Sequence, residues 1–260
     1  MAKERLDLLL VERRLVESRA KAQWLIRNGF VLVDGVEIRK PGKRIDNTLD
    51  IHLIKEFPYV GRGGLKLEAA LKNFSISVKN KICADIGASV GGFTDCLLKH
   101  GASKVYAIDI ATDLLHPSLR CEKVKDKVIP LLGVDARKLR VLKEKVDICT
   151  LDVTFTSLKA IFPNIRNFLN KEGDIVALVK PLFETEFYDE KKFNIIQNPG
   201  TLENILKDLL NWCTENGFFP KAIIRSPILG KGGSIEFLVH FKITNGDSTL
   251  KFNSEMDTII

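Results

Sequence analysis

Two apolar stretches of this sequence each end in a single charged residue. Asp152 closes the stretch in "ICTLDVTF", and Lys180 closes the one in "DIVALVKPLFE", immediately before a proline. Lysine and aspartate are rarely buried without a partner, so a charge at the end of an apolar strand is informative. One such residue alone is more commonly a solvated strand end. At the carboxyl ends of adjacent strands, however, the two side chains would converge on a bound ligand, which favours an active site.

Two further charged residues stand in unusual surroundings. Lys66 opens a predicted helix after the glycine-rich "GRGG", and Glu236 lies inside the apolar run of "SIEFLVHF". Both need a partner of opposite charge if they are buried. The candidate catalytic residues are therefore Lys66, Asp152, Lys180 and Glu236.

A glycine-rich segment, "DIGASVGGFT" (residues 85–94), follows one apolar run and precedes an amphipathic one. It lacks the G-x-G-x-x-G fingerprint of dinucleotide-binding loops, because Ser89 replaces the second glycine. It also lacks the G-K-[ST] of a triphosphate loop, because Phe93 stands where the lysine is required. Two interpretations remain: a tight strand-to-helix turn that binds nothing, or a loop for another ligand.

The acidic residues around this segment favour S-adenosylmethionine. Asp85 can face a cationic amine or sulfonium, and Asp109, at the end of the next predicted strand, can accept two ribose hydroxyls. Asp135 is predicted to end a third strand. The candidate cofactor-binding residues are Asp85, Gly87, Ala88, Ser89, Gly91, Gly92, Phe93, Asp109 and Asp135.

Strands and helices alternate from about residue 62 onward. The predicted strands include "KICADIG", "KVYAIDI", "KVIPLLGVDA", "KVDICTLDV" and "DIVALVK", and the predicted helices include "SLKAIFPNIRNFL" and "TLENILKDLLNWCTEN". Such alternation implies a mostly parallel sheet with both faces covered. The final segments "KAIIRSPI" and "SIEFLVHFKI" are extended with no helix between them, so an antiparallel pair is expected at the end.

The N-terminal part has a different organisation. A helix over "RLDLLLVERRLV" precedes a second helix with Ser18 as its N-cap, and Asp34-Gly35 predicts a hairpin. The wholly basic run "RKPGKR" (residues 39–44) is either a solvated face or a surface for a polyanion. The segment "EFPYVGRGG" (residues 56–64), with its proline and glycines, is typical of a linker.

Composition narrows the class of protein. The chain has 260 residues, 45% of them hydrophobic, and a formal net charge of +7, which suits one large α/β domain and a small module. No apolar run approaches the ~20 residues of a membrane span, and the charged N-terminus has no signal-peptide core. Five scattered cysteines without C-x-x-C pairs suit reduced thiols. We expect a cytoplasmic protein without a metal site.

Together these motifs resemble the TlyA family, often labelled haemolysin-like, over essentially the whole chain. The stretch "SRAKAQWLIRNGFVLVDGVEIRKPG" is similar to an S-four (S4) RNA-binding domain. The stretches "GRGGLKL", "DIGASVGGFTDCLL", "LDVTFTSL", "LVKPLFE" and "SPILGKGGSIEF" are similar to an FtsJ-like ribose methyltransferase. The resemblance implies a small α+β S4-like domain at 1–57, a linker at 58–63, and a methyltransferase domain at 64–260. The latter would be a class I, Rossmann-like α/β fold whose mostly parallel seven-stranded sheet ends in an antiparallel strand.

The resemblance also implies a reaction. A methyl group would pass from S-adenosylmethionine to a ribose 2′-hydroxyl of cytidine in ribosomal RNA of the small subunit, the large subunit or both. The family's Lys-Asp-Lys-Glu tetrad falls on the four candidate catalytic residues. Lys180 would be central: either a neutral amine, its pKa lowered by Lys66 and by burial, accepts the proton, or an ammonium only steers the hydroxyl. Relatives usually carry Ser or Thr where Val90 stands, so a side-chain hydrogen bond to the cofactor would come from elsewhere.

The N-terminal domain would supply affinity for ribosomal RNA through phosphate contacts. Neither DNA nor a membrane is the expected primary partner, and the oligomeric state is open. Three alternative functions stay open: a catalytically silent RNA-binding factor of the ribosome, a membrane-active haemolysin with "LENILKDLLNWCTENG" as its amphipathic helix, and a methyltransferase for DNA or small molecules. The candidate RNA-binding residues are Arg5, Arg19, Lys21, Arg27, Lys40, Lys43 and Arg44.

Overall fold

The structure, a computed structural model, describes residues 3–185 and 198–244. The chain forms two compact units, Met1–Arg62 and Gly63–Ile260. The predicted linker at 58–63 falls where one unit passes into the other, while the predicted domain boundaries stay a prediction. The end of the predicted second domain lies outside the described residues.

The first unit combines helices with short strands around one apolar core. Ser18 caps the second helix as predicted, since its Oγ accepts a hydrogen bond from the Lys21 amide at 3.3 Å. Asp34 and Gly35 both have positive φ, 46° and 77°, and turn the chain between two antiparallel strands, which confirms the hairpin. Between residues 3 and 62 the elements are β1 (Lys3–Arg5), α1 (Leu6–Glu12), α2 (Arg19–Arg27), β2 (Val31–Val33), β3 (Val36–Glu37), β4 (Arg44–Asp46) and β5 (Ile51–Leu53).

The second unit alternates strands and helices. Within the described residues of this unit, three short 3₁₀ helices add to them, at Pro117–Leu119, Leu158–Ala160 and Lys231–Gly233. The elements are α3 (Gly63–Asn73), β6 (Ile82–Ile86), α4 (Gly92–Lys99), β7 (Lys104–Asp109), β8 (Val128–Leu132), β9 (Val146–Leu151), α5 (Phe162–Ile165), β10 (Leu169–Val179), α6 (Pro181–Glu184), α7 (Pro199–Glu215), β11 (Phe219–Arg225) and β12 (Phe237–Lys242).

The strands of the second unit form one seven-stranded sheet in the order β11-β12-β10-β9-β6-β7-β8. Neighbours are parallel from β10 to β8, and β12 is antiparallel to both β10 and β11. This confirms the predicted fold class, including the antiparallel pair at the end. The carboxyl ends of the five parallel strands lie together at one edge of the sheet, hereafter the carboxyl edge, where ligands bind in such folds.

Helix α7 turns its apolar face toward the sheet. Leu202, Leu206, Leu209 and Leu210 are all buried in the main core. Because this face is used within the fold, it is not available to a lipid surface. None of the helices within residues 3–185 and 198–244 is long and apolar enough to cross a membrane.

The predicted helix over "SLKAIFPNIRNFL" is largely wrong. A 3₁₀ helix and the four-residue α5 replace it, and β10 begins earlier than predicted, at Leu169. Pro163 explains the break, because it lacks an N–H and its ring is tolerated only in the first turn of a helix. The longer β10 contains a register shift between Leu169 and Asp174.

Candidate active site

The glycine-rich loop after β6 is shaped by close contact with the end of β9. Gly87 has φ +82°, and its amide donates to the carbonyl oxygen of Ile108 at 2.9 Å. A Cβ at this position would lie 2.4 Å from the carbonyl oxygen of Asp152. Glycine is therefore required both by conformation and by space. Because Gly87 has no side chain, the loop can lie close to Asp152, one of the candidate catalytic residues.

The rest of the loop turns tightly into α4. Gly91 is the N-cap with φ +94°, and its amide donates to Ala88 O at 2.7 Å. A Cβ on Gly91 would fall 2.1 Å from the Leu119 side chain. Ser89 also has positive φ, at +50°, and both Ser89 and Val90 are exposed. The loop tip thus lies at the carboxyl edge, where Val90 presents an apolar side chain to solvent.

Asp109 ties this loop to the next one. Its Oδ2 accepts a hydrogen bond from the Ser89 amide at 2.7 Å, and its Oδ1 accepts one from the Ala111 amide at 2.8 Å. Each carboxylate oxygen carries a second lone pair, so acceptors remain for two ribose hydroxyls. The position at the end of β7 is compatible with the predicted contact to ribose, which stays a prediction.

Asp85 lies beneath the loop rather than on its surface. It is 0% exposed, and its carboxylate accepts hydrogen bonds from Thr94 Oγ1 at 2.6 Å and Thr150 Oγ1 at 3.1 Å. Burial raises its pKa to about 7; the hydroxyls oppose this shift, and the charge of Asp152 adds to it. The expected direct contact with a cationic group therefore has no support in this geometry. Asp85 instead fixes the start of α4 to β9.

Replacing Asp85 with asparagine is expected to remove a pH dependence of stability. Because the folded state raises the pKa of Asp85 from 3.8 to about 7, its stabilising contribution is complete below pH ~4 and is lost as the pH rises through 7. Between pH 5 and 8 the parent should lose about 2.5 kcal/mol of unfolding free energy that the variant keeps. Urea unfolding followed by tryptophan fluorescence at both pH values measures this difference. An equal pH dependence in the two proteins would contradict the assignment.

Two other predicted cofactor residues are engaged elsewhere. Asp135 does not end a strand, because β8 stops at Leu132. Arg137 donates to both carboxylate oxygens of Asp135 at 2.8–3.2 Å, and these bonds hold the pKa of Asp135 below its usual range. Phe93 is buried, and a Cβ on Gly63 would lie 3.2 Å from its ring. The Phe93 side chain thus packs under α3 and is not available to a ligand.

The four candidate catalytic residues form two ion pairs. Lys66 Nζ donates to Glu236 Oε2 at 2.5 Å, and Lys180 Nζ lies 2.5 Å from Asp152 Oδ1. Each lysine therefore contacts a carboxylate of its own. The side chains of the first pair are 10% and 4% exposed, and those of Lys180 and Asp152 are 12% and 23% exposed. The second pair is therefore the one that a substrate reaches more easily.

Helix α3 brings the two pairs to one place. Lys66 and Gly63 are three residues apart on this helix and share a face. A Cβ on Gly63 would lie 3.7 Å from Asp152 Oδ2, so the start of α3 lies against the second pair. Glu236, immediately before β12, reaches the same helix through Lys66. Both pairs therefore lie at the carboxyl edge, beside the glycine loop.

Lys180 makes the hydrogen bonds of an ammonium group. Its Nζ donates to Val153 O at 2.9 Å in addition to contacting Asp152. It is also the N-cap of α6, in which a proline occupies the first turn. Two of the three N–H donors are used, so the third can bind a substrate oxygen.

The buried pair offers a test that separates stability from activity. Glu236→Gln leaves the Lys66 ammonium buried without its counter-charge, which should lower the unfolding free energy by about 3 kcal/mol. The double variant Lys66→Met/Glu236→Leu fills the same space with apolar groups and should recover most of that loss. Urea unfolding and a methyl-transfer assay measure the two properties. Activity restored together with stability would show that the pair only holds the fold.

Sequence reasoning missed a carboxylate that joins the two catalytic segments. Glu184, in α6, accepts hydrogen bonds from Ser157 Oγ at 2.5 Å and from the Leu158 amide at 3.0 Å. Burial raises the pKa of Glu184, although these bonds oppose the shift. It fastens the segment after Asp152 to the segment after Lys180. The motif "KPLFE" contains this residue, but its partners lie 26 and 27 positions away in the chain.

An aromatic pair beside the site was also missed. Phe155 has φ +60° and is 77% exposed, and its ring centroid lies 5.4 Å from that of Phe183. The two rings come from the segments that Glu184 joins. An exposed phenylalanine with positive φ is uncommon.

The predicted RNA-binding residues all lie in the first unit, and they differ in their surroundings. Lys21 is mostly covered, because its Nζ pairs with Glu17 at 2.5 Å and lies 5.5 Å from the centre of the Phe57 ring. Arg5 is partly buried against Asp7. Five are exposed: Arg19, Arg27, Lys40, Lys43 and Arg44.

Comparisons with known families bear on both units. The S4 domain family matches residues 4–50, and the FtsJ-like methyltransferase family matches residues 59–243, well over half of the chain. The chain belongs to the FtsJ-like methyltransferase family. Membership confirms the predicted methyltransferase activity and S-adenosylmethionine as the methyl donor.

Individual relatives extend the match over nearly the whole chain. The candidate rRNA methyltransferase YqxC of Bacillus subtilis is 42% identical over 243 residues, which are 92% of this chain and 85% of the relative. The 16S/23S rRNA (cytidine-2'-O)-methyltransferase TlyA of Mycobacterium tuberculosis is 32% identical over 259 residues, 98% and 95% of the two chains. A solved structure of a candidate hemolysin from Streptococcus thermophilus is 35% identical with a TM-score of 0.72, covering 99% of this chain and 94% of the other. These matches confirm the predicted TlyA family.

Proposed function

We propose that this protein transfers the methyl group of S-adenosylmethionine to the ribose 2′-hydroxyl of a cytidine in ribosomal RNA of the small subunit, the large subunit or both. The observation that carries the proposal is the pair Lys180–Asp152 at the carboxyl edge, next to the glycine loop. The mycobacterial relative, which aligns over 98% of this chain, is named for that reaction on 16S and 23S rRNA.

The cofactor would lie across the carboxyl edge of the sheet. The backbone of residues 87–91 offers a surface without bulky side chains, and Asp109 has acceptor capacity for the ribose hydroxyls. Asp85 and Phe93 shape this surface from below without reaching it. S-adenosylmethionine supplies an activated methyl group on a sulfonium, which leaves as a thioether when the methyl is transferred.

Lys180 would orient the attacking oxygen. Asp152 and the carbonyl of Val153 each accept from its ammonium group, which fixes the direction of the remaining N–H. That N–H can donate a hydrogen bond to one lone pair of the 2′-oxygen, so that a second lone pair of this oxygen points at the methyl carbon. The hydroxyl proton passes to solvent as the new C–O bond forms. Of the two roles open from the sequence, this geometry favours steering by an ammonium.

The exposed aromatic pair would receive the base. Phe155 follows Asp152 by three residues, and its exposed ring lies against that of Phe183, which follows Lys180 by three residues. A ribose hydroxyl inside folded RNA is reached most easily when its nucleotide leaves the helix, and an exposed ring can then stack on the base. Stacking is tolerant of base identity, so preference for cytidine would need additional contacts.

The first unit would supply affinity for the RNA. Exposed arginines and lysines on an S4 domain contact phosphates, and such binding depends strongly on salt. A ribosomal substrate would place the protein in the cytoplasm. The ion pairs argue against a silent binding factor, because all four charged side chains are present and paired. The buried apolar face of α7 argues against membrane lysis.

The proposal is tested by methylating purified ribosomal subunits in vitro. Small and large subunits are incubated separately with the protein and with S-adenosylmethionine that carries a tritiated methyl group. Digestion to nucleosides should yield labelled 2′-O-methylcytidine from at least one subunit. Label that appears on a base, or on ribosomal protein alone, would overturn the proposal.

A further inference from the structure

A buried carboxylate organises two arginines in the first unit. Asp7 is 0% exposed, although it lies on the short helix α1 of a small unit. Arg5 donates to it through two nitrogens, from Nε to Oδ1 at 2.9 Å and from Nη2 to Oδ2 at 3.0 Å. Arg19 donates from Nε to Oδ2 at 2.8 Å, and Gln23 donates from Nε2 to Oδ2 at 2.8 Å. One carboxylate therefore holds side chains from β1 and α2.

The contacts stabilise the ionised carboxylate despite its burial. Burial by itself would raise the pKa of Asp7, but the hydrogen bonds from Arg5, Gln23 and Arg19 outweigh it and hold the pKa well below its usual range. Its partners stay partly exposed, with 37% of the Arg5 side chain and 52% of the Arg19 side chain accessible. Arg19 uses only Nε toward Asp7, so both of its Nη groups remain for another acceptor.

The basic run 39–44 is fastened beside this cluster. The amide of Leu6 donates to Lys43 O at 2.9 Å, and the amide of Asp7 donates to Pro41 O at 3.1 Å. A Cβ on Gly42 would lie 3.0 Å from Arg5 Nη1, so the guanidinium lies against this turn. The arginine pair and the basic run therefore form one surface.

We propose that Asp7 is a positioning residue for RNA binding, which holds Arg5 and Arg19 as a pre-oriented clamp for phosphate groups of the RNA backbone. The proposal rests on the RNA-binding role proposed above for the first unit. Arginine has a long side chain, and ordering it at the moment of binding costs affinity. A carboxylate that fixes the guanidinium beforehand removes part of this cost and aligns the fork for bidentate contact with phosphate.

For the Asp7→Asn variant, the positioning role and the change in net charge predict opposite changes in RNA affinity. Asp7→Asn removes one negative charge next to the proposed RNA surface, so simple electrostatics predicts tighter binding. Loss of positioning predicts binding that is weaker by about fivefold or more. Filter binding of the full-length protein to protein-free ribosomal RNA, at several salt concentrations, distinguishes the two. Glu12→Gln makes the same charge change at an exposed site on α1 and should bind as tightly as the parent, or slightly tighter.

A second pair of variants keeps the test decisive if Asp7→Asn does not fold. Arg19→Lys keeps the charge on the surface of α2 but cannot contact Asp7 and a phosphate at once through one planar fork. It should weaken RNA binding about fivefold, whereas Arg14→Lys, at an exposed position just after α1 and outside the cluster, should change it less than about twofold.

The outcomes separate this inference from the proposed function. A parent that does not bind ribosomal RNA in a salt-dependent way would defeat the RNA-binding role of the first unit. If the parent binds, either of two results would overturn the positioning role alone. One is an Arg19→Lys protein that binds RNA as tightly as the parent. The other is a folded Asp7→Asn protein that binds RNA as tightly as the parent or more tightly. Weaker binding by Arg19→Lys and by any folded Asp7→Asn, with both controls unchanged, would support it.

Discussion

Replacing Lys180 with alanine is expected to lower the rate of methyl transfer by at least about 1000-fold. The Lys180 side chain contacts Asp152 and the carbonyl of Val153. We propose that its third N–H binds the reacting oxygen. Without the ammonium, the 2′-hydroxyl loses the group that orients it, while the surface proposed for the cofactor is unchanged. Single-turnover methylation of ribosomal subunits measures the rate, and calorimetric titration with S-adenosylmethionine measures binding, which should stay within about threefold of the parent.

A matched control lies on the same strand. Lys171 is exposed near the start of β10, at the end opposite to Lys180. Lys171→Ala makes the same chemical change and should leave both rate and cofactor binding unaltered. A Lys180→Ala protein that methylates at the parental rate would defeat the catalytic assignment. Equal losses in both variants would point to a general effect of charge on RNA binding.

Replacing Gly87 with alanine is expected to abolish cofactor binding and to destabilise the second unit by about 3 kcal/mol or more. A Cβ at Gly87 would lie 2.4 Å from the carbonyl oxygen of Asp152, and φ is +82°. The backbone cannot yield there without moving either the loop or the residue that pairs with Lys180. Titration with S-adenosylmethionine and urea unfolding measure the two losses.

Gly101→Ala separates the clash from backbone strain. Gly101 has φ +91°, but the nearest atom to its Cβ would lie 3.5 Å away, which is ordinary contact. Only the cost of the left-handed conformation applies, about 1 kcal/mol, and cofactor binding should be kept. If Gly87→Ala behaves like Gly101→Ala, the close approach of loop and catalytic strand is not needed for function.

Much of the fold could be predicted from the chain because its strands are short apolar runs bounded by charges and glycines. Asp152 and Lys180 end adjacent strands as predicted, since β9 and β10 are neighbours in the sheet. The pairing of Lys66 with Glu236 could not be predicted, because the two residues are 170 positions apart and only β12, inserted beside β10, brings them together.

The surroundings of two predicted cofactor-binding residues could not be predicted from the sequence, for physical reasons. β6 is apolar on both faces, so its sequence has no alternation that would tell which way Asp85 points. Asp135 was expected to receive a ligand, but Arg137, two residues on, already occupies its carboxylate. The resemblance to known methyltransferases supplied the reaction and the tetrad, and the residues alone supplied only a cofactor site with charges beside it.

The most direct test of the central claim is a map of ribose methylation in ribosomal RNA from cells that contain or lack this gene. Mass spectrometry of RNA fragments should find 2′-O-methylcytidine that disappears with the gene, returns with the parent protein and does not return with Lys180→Ala. A methylation map identical in all four strains would contradict the account.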